Sequence, residues 1–303
     1  MSLIRIGSRG SQLALWQAEH ISGLLRGRGH DVEIEIIKTT GDRLQEITFA
    51  QVGSKGMFTL EIEEALAAGR IDLAVHSLKD LPTDLPAGFM LGATPQRVDP
   101  RDVFVSRDFA SLQNLPKGAR LGTSSLRRRA QLRSLRPDLE YIEFRGNVDT
   151  RLRKLGEGQA EGILLAAAGL DRLDKTEWVR ERIDPEVVCP AAGQGALGIE
   201  IREGDARVAD AVAFLDDPAT RFAVTAERIA LAALGGGCQV PIGVHCWPVA
   251  EGFEILGVVA DPDGSRVLSG RAVGVEAKAL GRAVAADLIE QGATELFQGI
   301  GIN

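Results

Sequence analysis

The sequence is poor in cysteine and histidine, and this limits the kinds of site it can contain. Its three cysteines, Cys189, Cys238 and Cys246, do not make a disulfide framework. Its four histidines add no metal-ligand spacing, and the gap from Cys238 to the pair His245-Cys246 fits no common zinc pattern. We therefore expect free thiols and no metal site.

Long apolar runs are also missing, so no segment approaches the length of a membrane span. The first residues, Met-Ser-Leu-Ile-Arg-Ile-Gly, lack the apolar stretch of a secretory signal. Apolar residues make up 45% and charged residues 25% of the 303 residues, a balance typical of soluble proteins with two or three domains. These features favour a cytoplasmic enzyme or binding protein.

Basic residues are outnumbered by acidic ones overall, 35 to 42, but are concentrated in one stretch. The net charge is −7, yet residues 120–154 contain ten basic and four acidic residues, a local excess of six. A confined anionic ligand explains such an excess. Nucleic acid is an alternative ligand. However, Tyr141 is the only aromatic residue among these basic residues before Phe144, and a surface on which bases stack needs more aromatic side chains. The basic residues are Arg120, Arg127, Arg128, Arg129, Arg133, Arg136, Arg145, Arg151, Arg153 and Lys154.

The order of helix and strand patterns predicts three parts. In the first, strand patterns at 3–6, 32–36 and 71–75 alternate with helix patterns, as in an α/β domain. The polar, proline-broken segment 96–102 suits a crossover into a second α/β unit. The last third, from residue 218, has two helix patterns and three strand patterns, which predict a small α+β domain.

Two strand-to-helix turns carry the basic residues. The segment Thr123–Arg129 places hydroxyl groups and arginines at the start of a predicted helix, where N–H groups, dipole and charge bind anions together. An ordinary capped helix with a solvated basic face explains the same residues equally well. The segment Arg145-Gly146-Asn147, with Arg151 one turn later, repeats the pattern after a predicted strand at 141–144, which favours the anion site.

Lys79 and Asp80 follow the predicted strand at 71–75. Polar residues at the carboxyl end of a strand are where open α/β sheets bind ligands. A carboxylate there can stabilise a developing positive charge, or move a proton if burial raises its pKa. On these residues alone, an aspartate that only caps the turn before Leu81-Pro82 is the more favoured interpretation.

Two further motifs are weaker. The segment 193–198 matches the dinucleotide-binding pattern G-x-G-x-x-G. A true dinucleotide-binding motif follows a strand and begins a helix. Because Ile199-Glu200-Ile201 continues it as a strand, we expect a glycine-rich crossover back into the first domain instead. Cys238 follows three glycines, which favour an accessible thiol, whereas Cys189 and Cys246 fit inert core cysteines better. No histidine adjoins Cys238, so a Cys-His hydrolase is not supported.

Seven stretches in this order resemble those of the porphobilinogen deaminases, and together they cover essentially the whole chain. Each stretch alone is weak, but the seven in order are highly specific. Relatives commonly carry an acidic residue where this chain has Gly235, which bears on the charge and stiffness of the cysteine loop. The stretches are GSRGSQLALWQA (7–18), GSKGMF (53–58), HSLKDLP (76–82), GTSSLRR (122–128), RGNVDTR (145–151), GQGA (193–196) and GGGCQVPIG (235–243).

The resemblance implies an α/β protein with two periplasmic-binding-protein-like domains flanking a cleft, and a small C-terminal α+β domain. Domain 1 is expected at 1–95 with 196–215, domain 2 at 100–190 and domain 3 at 218–303. The implied activity is a transferase reaction of tetrapyrrole (haem) biosynthesis. Four porphobilinogens condense head to tail, with release of ammonia, and hydrolysis then gives hydroxymethylbilane. The implied cofactor is a dipyrromethane primer joined by a thioether to Cys238.

The resemblance also assigns site residues. Asp80 is the implied catalytic residue, which stabilises the cation left when ammonia departs. Lys55 and Phe58 belong to an implied mobile lid. A monomer that binds neither nucleic acid nor membrane is expected. The alternative is a non-catalytic two-lobed protein that binds a polycarboxylate. The implied binding residues for cofactor and substrate are Arg9, Ser11, Lys79, Thr123, Ser125, Arg127, Arg128, Arg145, Gly146, Arg151, Arg172 and Gln194.

Overall fold

The structure is a computed structural model that describes residues 3–40, 59–236 and 240–297. Its strands are β1 (Leu3–Ser8), β2 (Asp31–Ile36), β3 (Leu73–Ser77), β4 (Phe89–Ala93), β5 (Asp102–Val105), β6 (Arg120–Gly122), β7 (Glu140–Ile142), β8 (Gly162–Ala166), β9 (Val179–Arg182), β10 (Leu197–Arg202), β11 (Ile242–Val249), β12 (Gly252–Ala260) and β13 (Val267–Gly274). Its helices are α1 (Gln12–Arg26), α2 (Leu60–Ala67), α3 (Leu126–Leu135), α4 (Val148–Gly156), α5 (Ala167–Arg172), α6 (Ala206–Val212), α7 (Pro218–Ala233), α8 (Ala277–Glu290) and α9 (Ala293–Phe297).

The chain divides into two compact units, and each combines two separate segments. The first unit is Met1–Val98 with Ala196–Arg221, and the second is Asp99–Gly195 with Phe222–Asn303. The change from one unit to the other at residue 98 lies inside the polar segment 96–102. The finer division into three domains stays a prediction.

The first unit is built on a five-stranded sheet of order β2-β1-β3-β10-β4. β1 pairs in parallel with β2 and β3, while β10 runs antiparallel to β3 and β4. One face packs on α1 and α6, because Ala18, Ile21 and Leu25 recur at helical spacing and are fully buried. The other face is covered by α2 through Ile62 and Leu66. Both faces of the sheet are therefore buried.

The second unit contains a five-stranded sheet of order β7-β6-β8-β5-β9 and a three-stranded antiparallel sheet, β11-β12-β13. In the larger sheet, β6 pairs in parallel with both β7 and β8. Helices α7 and α8 pack against the smaller sheet through small and branched apolar residues such as Ala230 and Leu288. Gly257 allows this close approach, since a Cβ atom there would lie 2.7 Å from the Leu288 side chain.

The predicted fold class is confirmed: two α/β sheets are followed by a small α+β part. The helix predicted from Leu126 to about Leu135 is α3, with the same ends, whereas the strand predicted at 71–75 lies two residues later. The strand predicted at 141–144 ends at Ile142, because the Phe144 N–H leaves the ladder and donates to Ser124 Oγ at 3.2 Å. The G-x-G-x-x-G segment precedes strand β10 and opens no helix, as expected.

The two described cysteines agree with their predicted character. Cys189 and Cys246 are buried free thiols, and burial raises the pKa of the Cys189 thiol. Within the three described ranges, no helix is long and apolar enough to cross a membrane. In the same ranges, no group of three or more His, Cys, Asp and Glu side chains is arranged to hold a metal ion.

Candidate functional site

In the first unit, the predicted site residues lie at one edge of the sheet. β1 and β3 are parallel neighbours, so their carboxyl ends meet at the same edge. Arg9 and Ser11 follow β1, and Lys79 and Asp80 follow β3. Asp80 is exposed and the other three are half-buried. The fold therefore brings these four residues to one edge of the sheet.

The turns that carry these residues are fixed by short polar contacts. Ser11 is the N-cap of α1, and its Oγ accepts a bond from the Ala14 N–H at 3.3 Å. Gln17, one turn further along α1, donates from Nε2 to Ser77 Oγ at 2.8 Å. Because Ser77 ends β3, this bond ties the helix after β1 to the start of the Asp80 turn.

Asp80 ends a single 3-10 turn, Leu78–Asp80, which is anchored on both sides. The Leu78 N–H donates to the Ala196 carbonyl at 3.0 Å, and the Leu81 N–H donates to the Leu78 carbonyl at 3.2 Å. Leu78 and Leu81 are buried, with 1% and 4% of their surface exposed. The result is a water-accessible carboxylate on a rigid turn, the arrangement expected of a group that meets a ligand.

In the second unit, three parallel strands, β7, β6 and β8, bring their following turns to one sheet edge. Thr123 and Ser125 lie in the turn from β6 to α3, and Arg145 and Gly146 in the turn from β7 to α4. Arg151 lies in the first turns of α4. Most predicted binding residues of this unit are therefore neighbours, although their positions span 123 to 151.

The hydroxyl groups at this edge cap the helices. Ser125 is the N-cap of α3 and accepts from the Arg128 N–H at 3.4 Å, while Thr123 Oγ1 accepts from the Ser125 N–H at 3.2 Å. Gly146 has a φ of +122°, and a Cβ there would lie 2.6 Å from the Thr150 side chain. Glycine is thus required at 146 by the backbone and by Thr150, whether or not a ligand binds.

Glu143 joins the two turns. It accepts from Arg129 on α3 and, at 3.2 Å, from the Nε of Arg145. Partial burial acts to raise the pKa of Glu143, but the two arginines outweigh burial and hold the pKa below its ordinary value. An ionised carboxylate therefore stands between the basic residues at this edge.

Arg127 and Arg128 are neither solvated nor at the surface. Each has 5% of its surface exposed, and both pair with Asp102, which is completely buried at the start of β5. Arg127 Nη1 lies 2.7 Å from Asp102 Oδ2, and Arg128 Nη2 lies 2.7 Å from Asp102 Oδ1. Burial alone would raise the pKa of Asp102, but the two guanidinium groups hold it well below its ordinary value. The solvated basic face considered for this helix is therefore wrong at these two positions.

Gln194 and Arg172 belong to the same buried region. Gln194 donates from Nε2 to Asp102 Oδ1 at 2.8 Å and to the Pro100 carbonyl at 2.6 Å. Arg172 donates to the Gly195 carbonyl at 2.8 Å. Burial lowers the pKa of Arg172 to about 10. Gln194 therefore orients Asp102, while Arg172 is a buried cation that a nearby anion would stabilise.

The basic stretch 120–154 is less unbalanced in space than in sequence. Three acids outside the stretch, Asp102, Glu157 and Glu161, pair with four of its arginines. The local excess counted along the sequence therefore overstates the positive field available to a ligand. What remains is a set of arginines held in place by carboxylates, which favours a defined anion over a long polyanion.

Replacing Asp102 by asparagine is expected to cost about 3–5 kcal/mol of unfolding free energy, because two buried guanidinium groups lose their counter-ion. In the folded protein the pKa of Asp102 lies below the ordinary aspartate value of about 3.9. The stabilisation by Asp102 is therefore present above about pH 3.9 and is lost as the pH falls from there towards the lowered pKa. Urea unfolding at pH 7 and pH 3 measures both effects. Asp138→Asn, at a half-buried and water-accessible pair with Arg136, should lose far less. Equal losses in the two variants would contradict this account.

Two buried acids of the second unit were not found by sequence reasoning. Asp102 is the first residue of an otherwise apolar strand, Asp-Val-Phe-Val, and that break in the pattern was its only signal. Glu227 is completely buried and accepts from the Gly193 N–H at 2.7 Å and the Cys246 N–H at 2.8 Å. It thereby joins the glycine-rich segment to β11. Its helix pattern gave no sign of burial.

Three predicted residues lie outside the described residues: Lys55 and Phe58 of the implied lid, and Cys238 of the cofactor loop. The described chain stops before Cys238 at Gly236 and resumes at Val240. Gly235, where relatives commonly carry an acid, has a φ of +70°. That conformation favours glycine, so the departure suits the local backbone.

Two models of known protein families match successive parts of the chain. Residues 4–210 match the model described as porphobilinogen deaminase, dipyromethane cofactor binding domain. The chain belongs to the porphobilinogen deaminase family. Residues 221–290 match the C-terminal domain of porphobilinogen deaminase. The family, the transferase class and the dipyrromethane cofactor predicted from the sequence are thus confirmed, and the non-catalytic polycarboxylate-binding alternative is not favoured.

Individual relatives agree with the family models. The chain is 48% identical to the porphobilinogen deaminase of Nitratidesulfovibrio vulgaris (strain Miyazaki F), over 98% of this chain and 96% of the relative. It is 50% identical to that of Burkholderia thailandensis, over 98% of this chain and 92% of the relative. A solved putative methionine-binding lipoprotein of Bacillus subtilis is 12% identical, with a TM-score of 0.44 over 70% of this chain and 89% of that chain.

Proposed function

We propose that this porphobilinogen deaminase uses Asp80 as its catalytic carboxylate and Cys238 as the anchor of its primer. The reaction is the head-to-tail condensation of four porphobilinogens, with release of ammonia, followed by hydrolysis to hydroxymethylbilane. The observation that carries the proposal is the exposed Asp80 carboxylate on a turn anchored by buried Leu78 and Leu81. A charged group held in this way needs little reorganisation when positive charge develops beside it.

The role of Asp80 follows from the substrate's chemistry. Loss of ammonia from porphobilinogen leaves a cationic, electron-deficient methylene pyrrole. A carboxylate beside this cation lowers the energy of its formation, and it can also accept hydrogen bonds from pyrrole N–H groups. Lys79 and Arg9, at the same sheet edge, are suited to bind the substrate's carboxylates and leave Asp80 for the cation.

The second unit supplies donors for carboxylates. Each pyrrole of the primer and substrate carries an acetate and a propionate side chain. Arginine binds such groups with two parallel N–H donors, and we assign this role to Arg145, Arg151 and Arg172. The family resemblance assigns it also to Arg127 and Arg128, and the bonds of these two residues to Asp102 hold their guanidinium groups in a fixed orientation.

The donors at this edge fit a dipyrromethane cofactor. Thr123 and Ser125 each accept a backbone bond, and a hydroxyl that accepts still carries an O–H able to donate to a carboxylate. Buried Arg172, with its lowered pKa, gains from a bound anion. When bound, the cofactor supplies the pyrrole ring that begins the chain. Gln194 acts indirectly, by orienting Asp102.

The remaining roles rest on the family resemblance. We propose that Cys238 forms the thioether and that the lid containing Lys55 and Phe58 excludes water during condensation. We further propose a cytoplasmic monomer that binds neither nucleic acid nor membrane. The pairing of the basic residues with local acids supports the absence of nucleic-acid binding, since paired arginines release few counter-ions from a duplex.

The proposed function predicts that purified protein given porphobilinogen alone releases four ammonia molecules for each hydroxymethylbilane. Ammonia is measured enzymatically, and the product by its absorbance after acid-catalysed cyclisation to a porphyrin. A heat-inactivated sample is the control for uncatalysed condensation. Tight binding of porphobilinogen without ammonia release would support the polycarboxylate-binding alternative instead.

A further inference from the structure

Three ionisable side chains outside the proposed catalytic residues are buried together in the first unit. Glu63 on α2, His76 on β3 and Glu200 on β10 have 7%, 6% and 0% of their surface exposed. His76 Nε2 lies 2.8 Å from Glu200 Oε2. An ionised carboxylate is costly to remove from water unless it is paired. Two buried carboxyl groups and one buried imidazole therefore lie in this part of the first unit, and the imidazole is paired with Glu200.

The fold places this group directly before the Asp80 turn. In the β3–β10 ladder, His76 lies opposite Gly198, and the final pair joins Ser77 to Leu197. The next bond, from the Leu78 N–H to the Ala196 carbonyl, starts the turn itself. Only three residues separate His76 from Asp80, so a shift of His76 against Glu200 would reach the turn through the end of the ladder.

Burial and nearby charges act on the Glu63 carboxyl. Burial has the largest effect and raises the pKa of Glu63; a hydrogen bond with Thr59 and the charge of His76 oppose the rise, and Glu200 adds to it. Glu63 Oε1 and Glu200 Oε1 are both buried and accept no hydrogen bond from any residue in the described ranges. One proton on Glu63 relieves the repulsion between the two carboxylates, whereas its loss leaves a second buried negative charge.

Other charged residues on the elements around Glu63 have partners of their own. Arg202 of β10 donates to the Leu66 and Ile71 carbonyls and pairs with Asp205 at 2.6 Å. Arg5, the only charged residue of β1, has an exposed side chain that lies 3.8 Å from Glu33. Neither residue is positioned by these contacts as the counter-ion of Glu63.

We propose that Glu63, His76 and Glu200 are positioning residues that lock the end of β3 onto β10 and so hold the Asp80 turn for catalysis. Loss of the Glu63 proton adds a negative charge to the group and loosens this lock. The proposal rests on the proposed role of Asp80. It predicts that turnover depends on the ionisation of Glu63, a residue that lies outside the Asp80 turn.

The test measures kcat and KM for porphobilinogen from about pH 4.5 to pH 9.5 with cofactor-loaded protein. Glu200→Gln and His76→Asn are expected to lower kcat by about 10- to 100-fold, the range for a misplaced catalytic group, with little change in KM. Glu63→Gln, which cannot lose the proton, is expected to abolish the fall of kcat that follows loss of this proton in the wild type. Glu64→Gln, the same change at the adjacent exposed residue, is the control and should keep the wild-type profile.

The proposal is overturned if Glu63→Gln and Glu64→Gln have the same pH profile, or if Glu200→Gln keeps the wild-type kcat. Should Glu200→Gln or His76→Asn lose the cofactor or fail to fold, the pH profiles of Glu63→Gln and its control Glu64→Gln still decide the test. Inactive wild-type protein, by contrast, would refute the proposed function and not this inference.

Discussion

Replacing Cys238 by serine is expected to give protein with the mass of the bare polypeptide and no measurable formation of hydroxymethylbilane. Wild-type protein from a haem-making host should instead carry a covalent adduct of two linked pyrrole units. The reason is chemical: a thiolate is a strong nucleophile near neutral pH, whereas a serine hydroxyl without a neighbouring base is not. Intact-mass spectrometry of both proteins, purified in parallel, makes the comparison.

The other two cysteines provide matched controls for this experiment. Cys189 is completely buried, and Cys246 has 2% of its surface exposed. Burial raises the pKa of the Cys189 thiol, so it stays protonated and unreactive. Cys189→Ala and Cys246→Ala should therefore keep the adduct, apart from any loss of stability. An adduct on Cys238→Ser, or its loss only from Cys246→Ala, would remove Cys238 from its proposed role.

The helix starts around the site could be predicted because their causes are local. Ser11, Ser125 and Asn147 each cap a helix by accepting a backbone N–H bond from a residue three positions later. Such caps depend on a few consecutive residues, so the sequence alone determines them. The same holds for Gly146, whose positive φ belongs to the turn itself.

The charge partners could not be predicted, because they are brought together only by the sheets. Asp102 meets Arg127 and Arg128 across 25 and 26 positions, and His76 meets Glu200 across 124. In sequence these acids read as ordinary polar residues of strands. The basic stretch therefore suggested only an anion site at two helix starts, whereas the fold shows Arg127 and Arg128 already oriented by a buried carboxylate.

The placement of β10 shows the same limit. The glycine-rich segment before it predicted a return to the first domain, and β10 does join the sheet of β1 and β3. Its insertion between β3 and β4 followed from no local pattern. Yet this insertion gives the Leu78 N–H its acceptor at Ala196 and brings Glu200 to His76. The support of the Asp80 turn is thus a property of topology.

Replacing Asp80 by alanine or asparagine is expected to leave the cofactor attached while kcat falls by about 10²–10³-fold, the loss typical of one preorganised electrostatic group. Attachment should survive because the proposed anchor, Cys238, lies in the other compact unit. KM should change little, since the carboxylates of porphobilinogen are assigned to basic residues. Steady-state kinetics and intact mass, measured on the same preparations, test both halves of this expectation.

Asp84→Ala is the matched control, because Asp84 is an exposed aspartate four positions further along the same loop. It should keep wild-type kcat and the adduct. The asparagine variant separates charge from shape: it keeps the size of the side chain and its carbonyl oxygen but cannot balance a cation. If Asp80→Asn retained near-normal turnover, the carboxylate charge would be unnecessary, and the anchored turn would have to act through its shape alone.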